Sequence, residues 1–118
     1  MEEKTINICG KEVTLRYCAA TETGFEQIRN KSIADLDFNS TEDLITLGVC
    51  AIAAHYSYKN EDAPVDSKDI LYEAKPKEIV ELVNAVITLR GKYYEVPEVV
   101  NIDQPSFEES QGEEKPKN

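Results

Sequence analysis

Between Lys4 and Cys18 apolar and polar residues alternate, with Ile6, Ile8, Val13 and Leu15 at every second position and Thr5, Asn7, Thr14 and Arg16 between them. A period of two is that of a half-buried strand, and it predicts strands at 4–9 and 12–18. The join is placed at Gly10-Lys11, where glycine supplies the positive φ that opens a two-residue type II′ turn. In that register Ile8 faces Val13, Ile6 faces Leu15 and Lys4 faces Tyr17, so the apolar side chains share one side. Cys9 then lies opposite Glu12 and Cys18 opposite Glu3, too far apart along the ladder for a strain-free disulfide.

Beyond the strands the period lengthens. Thr23 and Glu26 have capping-box spacing and open a short helix that buries Phe25 and Ile28 and ends at Asn30, a residue that tolerates the left-handed conformation. Ser32 with Asp35 starts a further turn carrying Ile33 and Leu36. Ser40 and Asp43 cap the longest helix, about 41–59, on which Leu44, Leu47, Ala51, Ala54 and Tyr58 form one stripe and Ile45, Val49, Ile52 and Tyr56 a second. A helix apolar on most of its circumference is either the central element of the fold or offers a face to a partner. Asp66 with Asp69 opens a helical turn through Ile70, Leu71 and Tyr72. Pro76 suits the first position of a last helix, about 76–91, in which Ile79, Leu82, Val83, Val86 and Leu89 recur at helical spacing. The predicted architecture is α+β: an N-terminal antiparallel β-hairpin packed on a small bundle of four to five helices, in a single domain spanning 1–94. Residues 95–118 hold seven acidic and two basic residues and three prolines. That composition predicts an acidic, flexible and largely disordered C-terminal tail.

Charge narrows the possible partners. The net charge is −10 over 118 residues, which opposes binding to a phosphate backbone or an anionic membrane, so nucleic acid and membrane are not expected partners. No basic segment leads into an apolar run and no eighteen-residue apolar stretch occurs, which predicts a cytoplasmic protein. Three cysteines, Cys9, Cys18 and Cys50, with a single histidine, His55, have no metal-ligand spacing. They read as free thiols in a reducing compartment, with a Cys9–Cys18 redox pair as the alternative that the hairpin opposes.

Catalytic chemistry finds little to work with. His55 sits mid-helix, where a partly buried structural role is the simpler account, and Cys50 five residues earlier points elsewhere on the helix. The acid-rich loop at 60–66 lacks the central glycine and alternating ligands of a calcium loop. Phosphate-cradling and nucleophile-elbow motifs are absent. The tyrosines, among them Tyr17 and Tyr56, lack the interleaved cations of a base-stacking platform. The expectation is a non-enzymatic protein with no catalytic residues, cofactor or metal.

Taken in order, the segments resemble the tail assembly chaperones of long-tailed bacteriophages and prophages. The resemblance rests on the hairpin turn from Ile6 to Glu12, the Phe25-Glu26-Gln27-Ile28 segment, and Asn30-Lys31-Ser32 followed by Ile33, Asp35 and Leu36, where the family often has Gly-Lys-Ser. A long apolar helix, a second helical half and a charged extension complete it, over roughly residues 4–94. It implies a chaperone that binds the long hydrophobic tape-measure protein and helps recruit tail-tube subunits. It also raises a longer product made by −1 frameshifting, because Pro116-Lys117-Asn118 can be encoded with a slippery A-AAA-AAC heptamer. The last nine bases of the gene decide that point.

The contact residues expected on this reading are Leu44, Leu47, Ala51, Tyr58, Tyr72, Val86, Tyr93 and Tyr94, and apolar stripes left exposed would also favour a homo-oligomer. The competing reading is an unrelated acidic adaptor or inhibitor, including a nucleic-acid mimic that occupies a basic site.

Overall fold

The structure is a computed structural model that describes residues 3–95. Two strands, β1 (Glu3–Ile8) and β2 (Lys11–Arg16), pair antiparallel. They are followed by α1 (Ala19–Arg29), a 3-10 turn (Ile33–Asp35), α2 (Thr41–Lys59), α3 (Ser67–Glu73) and α4 (Pro76–Tyr93). This is the α+β arrangement of a hairpin on a helical bundle. The acidic tail and the terminal Pro116-Lys117-Asn118 lie outside the described residues.

The hairpin differs from expectation by a register shift of two residues. Ile6 pairs with Val13, Lys4 with Leu15 and Ile8 with Lys11, so the turn is Cys9-Gly10. Both turn residues have positive φ, 54° and 73°, as a type I′ turn requires. A shift of two preserves which side each residue faces, so Ile6, Ile8, Val13 and Leu15 are all buried as expected. What holds Cys9 in the left-handed region is tertiary. Its thiol lies 3.5 Å from the Asp69 carbonyl, to which it donates, and its N–H helps stabilise the Glu78 carboxylate at the start of α4. The shift moves Cys9 and Cys18 further apart along the ladder, and all three cysteines are free thiols.

The first helix begins five residues earlier than predicted. Cys18, not Thr23, is its N-cap. Buried Thr21 accepts from the Cys18 N–H at 3.2 Å and donates to the Arg16 carbonyl at 2.8 Å, fastening the helix start to the end of β2. Phe25 is buried as predicted, but Ile28 is 62% exposed. The neighbouring Arg29 instead turns toward α2, where its Nε donates to Asp43 at 2.8 Å. Asn30 ends the helix at φ 57°, and Ser32 caps the 3-10 turn through the Ala34 N–H.

Central to the fold is α2. Ser40 caps it through the Asp43 N–H at 3.1 Å, and it packs against α1, β2 and α4. Leu44, Leu47, Ala51, Ala54 and Ile52 are buried, and Ile45, Val49 and Tyr56 are half-buried against the core. Gly48 permits the closest approach, because a Cβ there would stand 2.8 Å from Leu82 Cγ of α4. Leu82, Ala85, Val86 and Leu89 form the buried side of α4. Asp66 and Asp69 cap α3 reciprocally, at 2.9 and 3.1 Å. Val65 and Ile70 close the core below the hairpin turn.

Candidate functional site

Among the eight contact residues expected from the sequence, Leu44, Leu47, Ala51 and Val86 are interior and offer no surface in this form. The physical reason is that hairpin and helices cover both stripes of α2 up to Tyr58 and the inner stripe of α4, which a single helix pattern cannot reveal. Tyr58, Tyr72, Tyr93 and Tyr94 are exposed, but they do not form one patch. Tyr58 lies under the Arg16 guanidinium at 4.1 Å, beside the Arg16–Glu3 ion pair and the buried ring of His55, whose Nδ1 is 3.5 Å from the Glu3 carboxylate. Tyr72 stands out from α3 next to exposed Leu71. Only Tyr93 and Tyr94 are neighbours.

Those two belong to an aromatic cluster at the C-terminal end of α4. The Tyr93 ring is 5.1 Å from buried Tyr17 and 5.1 Å, edge on, from Tyr94. Arg90, one turn back on the same helix, lies 4.8 Å from the Tyr94 ring and 5.5 Å from that of Phe38. Phe38 comes from the short link between the 3-10 turn and α2, and is half exposed. The Arg90 Nε is buried and has no hydrogen-bond partner among the described residues. Two phenols converge on one carboxylate, since Tyr17 donates to Glu22 Oε2 at 2.8 Å and Tyr94 donates to the same oxygen. Glu22 lies in the first turn of α1, so the cluster joins the ends of β2 and α4, the start of α1 and the approach to α2.

Burial first, and then the hydrogen bond to Glu22, push the Tyr17 and Tyr94 phenols well above the ordinary tyrosine range. Both therefore stay protonated at any ordinary pH and act as fixed donors. The arrangement supplies rings, a guanidinium and an occupied carboxylate. It is suited to contact and not to proton transfer near neutrality. Tyrosine, phenylalanine and arginine, when partly exposed, are among the side chains enriched in protein interfaces.

Sequence reasoning found Tyr93 and Tyr94 but missed Phe38 and gave Arg90 no part in a contact surface. The available signal was a lone large aromatic between Asp37 and Asn39, in a link where solubility alone favours polar residues. Among the described residues no group of three His, Cys, Asp or Glu is placed to hold a metal ion. No helix among them is long and apolar enough to cross a membrane. Comparison with protein-family models, curated proteins and solved structures finds no match to this chain.

Proposed function

We propose that this chain is a non-enzymatic protein-binding domain that acts as a tail assembly chaperone of the phage or prophage type, holding a tape-measure protein and tail-tube subunits before assembly. The observation that carries the protein-binding reading is the Phe38–Arg90–Tyr93–Tyr94 cluster, a partly exposed aromatic group on a strongly acidic chain. The choice among protein binders rests on the order of segments from Ile6 to Tyr94, which resembles that family. Aromatic rings can cover an apolar helical stretch of a partner, while the excess of carboxylates keeps the complex in solution.

The test is co-expression with a long helical tape-measure protein, sought among the genes that neighbour this one. The expected result is that the partner becomes soluble and co-purifies. Phe38→Ala combined with Tyr94→Ala lowers the recovered partner by about tenfold or more, the scale of a lost interface anchor, while circular dichroism shows an unchanged fold. Tyr72→Ala, on the helix beside the hairpin turn at the other end of the molecule, serves as the comparison. A partner left insoluble overturns the chaperone reading. A binding partner that responds to salt but not to the aromatic substitutions points instead to an acidic adaptor that occupies a basic site.

A further inference from the structure

The two edges of the hairpin are treated differently. Ile8 and Lys11 close the two-residue turn, and backbone orientation alternates from there. The N–H and C=O groups of Lys4, Ile6 and Ile8 therefore point into the ladder. Those of Glu3, Thr5 and Asn7 point outward from β1, and those of Glu12, Thr14 and Arg16 outward from β2. On β2 the outward groups are met by the helices. The Thr14 N–H donates to the Tyr56 hydroxyl at 3.2 Å, and the Arg16 carbonyl accepts from Thr21 at 2.8 Å. On β1 no described residue meets the outward backbone of Thr5 or Asn7. That edge instead borders an open groove of about 460 Å³, lined by Lys4, Thr5, Ile6 and Asn7 on one side and by Glu81, Asn84, Ala85 and Thr88 of α4 on the other.

We infer that this edge is the site at which a second copy of the chain adds its own β1, antiparallel, to make a continuous four-stranded sheet across a twofold axis. Register and charge both point to a second copy. Pairing Thr5 with Thr5 of the other copy sets Glu3 against Asn7 and Asn7 against Glu3, so every outward group of both strands is used in about six hydrogen bonds. A register shorter by two sets Lys4 against Lys4, opposing like charges. A register longer by two leaves Glu3 without a partner.

Charge complementarity extends to the helices. The start of α4 lies at the hairpin turn, where Glu78 meets Cys9, and its end lies at the open end, where Tyr93 meets Tyr17. It thus runs antiparallel to β1, and at about 1.5 Å per helical residue against about 3.3 Å per strand residue, Glu81 stands between the levels of Ile8 and Asn7, beside Asn7 in the groove. The twofold axis through Thr5 carries Lys4 of one copy to a place opposite Ile6 of the other, between one and two residues from that level and within reach of the second copy's Glu81. Two such cross-copy ion pairs flank the new strand pair. The pairing does not depend on the chaperone reading, because its residues are at the opposite edge from the aromatic cluster's contacts with α1.

The test uses the full chain at about 150 mM salt, where the long-range repulsion between acidic copies is screened. Sedimentation across a range of protein concentration is expected to show reversible dimer formation, and the amides of Thr5 and Asn7 become protected from exchange as the dimer fills. Thr5→Pro removes an outward N–H without touching the ladder to β2, and it raises the dimer dissociation constant by about tenfold or more. Lys4→Glu weakens the dimer and Glu81→Lys does the same, whereas the two together restore it, a rescue that damage to the fold would not produce. A monomer at every concentration overturns the inference. So does protection of Thr5 and Asn7 that is independent of concentration, which would assign the edge to another segment of the same chain. Protection that appears only with a foreign protein overturns it in favour of that partner.

Discussion

Asp43 is the clearest case of a residue whose role sequence pattern understated. Read as part of a helix start, it is instead fully buried, with one oxygen accepting from Arg29 Nε at 2.8 Å and the other from Lys31 Nζ at 2.6 Å and the Asp37 N–H at 3.0 Å. Burial alone would raise this carboxyl. The hydrogen bonds from Lys31, Asp37 and Arg29 outweigh that and hold it down to about 2. A carboxyl depressed on folding contributes stability that is complete above its unfolded value of about 3.9. That contribution is lost as pH falls toward the folded value. Urea midpoints of the wild type and Asp43→Asn, compared from pH 6 to pH 2, are therefore expected to differ most near pH 6 and to converge below about pH 3. Near neutrality the variant loses about 2–3 kcal/mol, below the cost of breaking a fully buried pair because Arg29 and Lys31 can turn to solvent. A constant difference across that range would show that the carboxylate charge is not what matters.

At the scale of elements, the caps at Ser40, Ser32 and Asp66, the place of Pro76 at the first position of α4 and the left-handed end at Asn30 were legible because each is a local hydrogen bond or a local φ preference, whereas the left-handed end at Asn60 was not foreseen. The turn at Cys9-Gly10 was not. Glycine at the first position of one turn and at the second position of another are equally good local readings, and the choice was made by α3 and α4, which engage Cys9. The helix crossing at Gly48 is likewise invisible to pattern. Because Leu82 Cγ would stand 2.8 Å from an added Cβ, Gly48→Ala pushes α2 and α4 apart. It is expected to cost about 1–3 kcal/mol in thermal or urea unfolding despite the better helix propensity of alanine. A stabilised Gly48→Ala protein would mean that Leu82 repacks freely and that the crossing is not tight.

Across the whole molecule, α2 is wrapped by α1, β2 and α4, and this places the Cys50 thiol where only large opening reaches it. Burial pushes that thiol up to about 11, so both access and ionisation disfavour its reaction. Labelling under native conditions is expected to modify Cys9 and Cys18, which are half-buried, first. Cys50 should follow only at a rate set by unfolding, rising steeply through the urea transition. Early modification of Cys50 would show that α1, whose Gly24 lies beside this thiol, detaches without global unfolding. The same wrapping accounts for the candidate site. Of the contact residues chosen from the stripes of α2 and α4, Leu44, Leu47, Ala51 and Val86 proved to be core, and the exposed aromatics lie toward the ends of elements, where Phe38 and Arg90 had given little signal.

The order of strands and helices, most of their caps and the inward side of the hairpin were determined by the sequence itself, because these rest on interactions within a few residues, whereas the start of α1 at Cys18 and the exposure of Ile28 were not. Which apolar stripe is covered, which turn residue takes the positive φ, and which exposed rings come together around Arg90 were decided only by tertiary structure. The reason is that burial is a property of pairs of surfaces, and a stripe on one helix carries no mark of which other element will cover it.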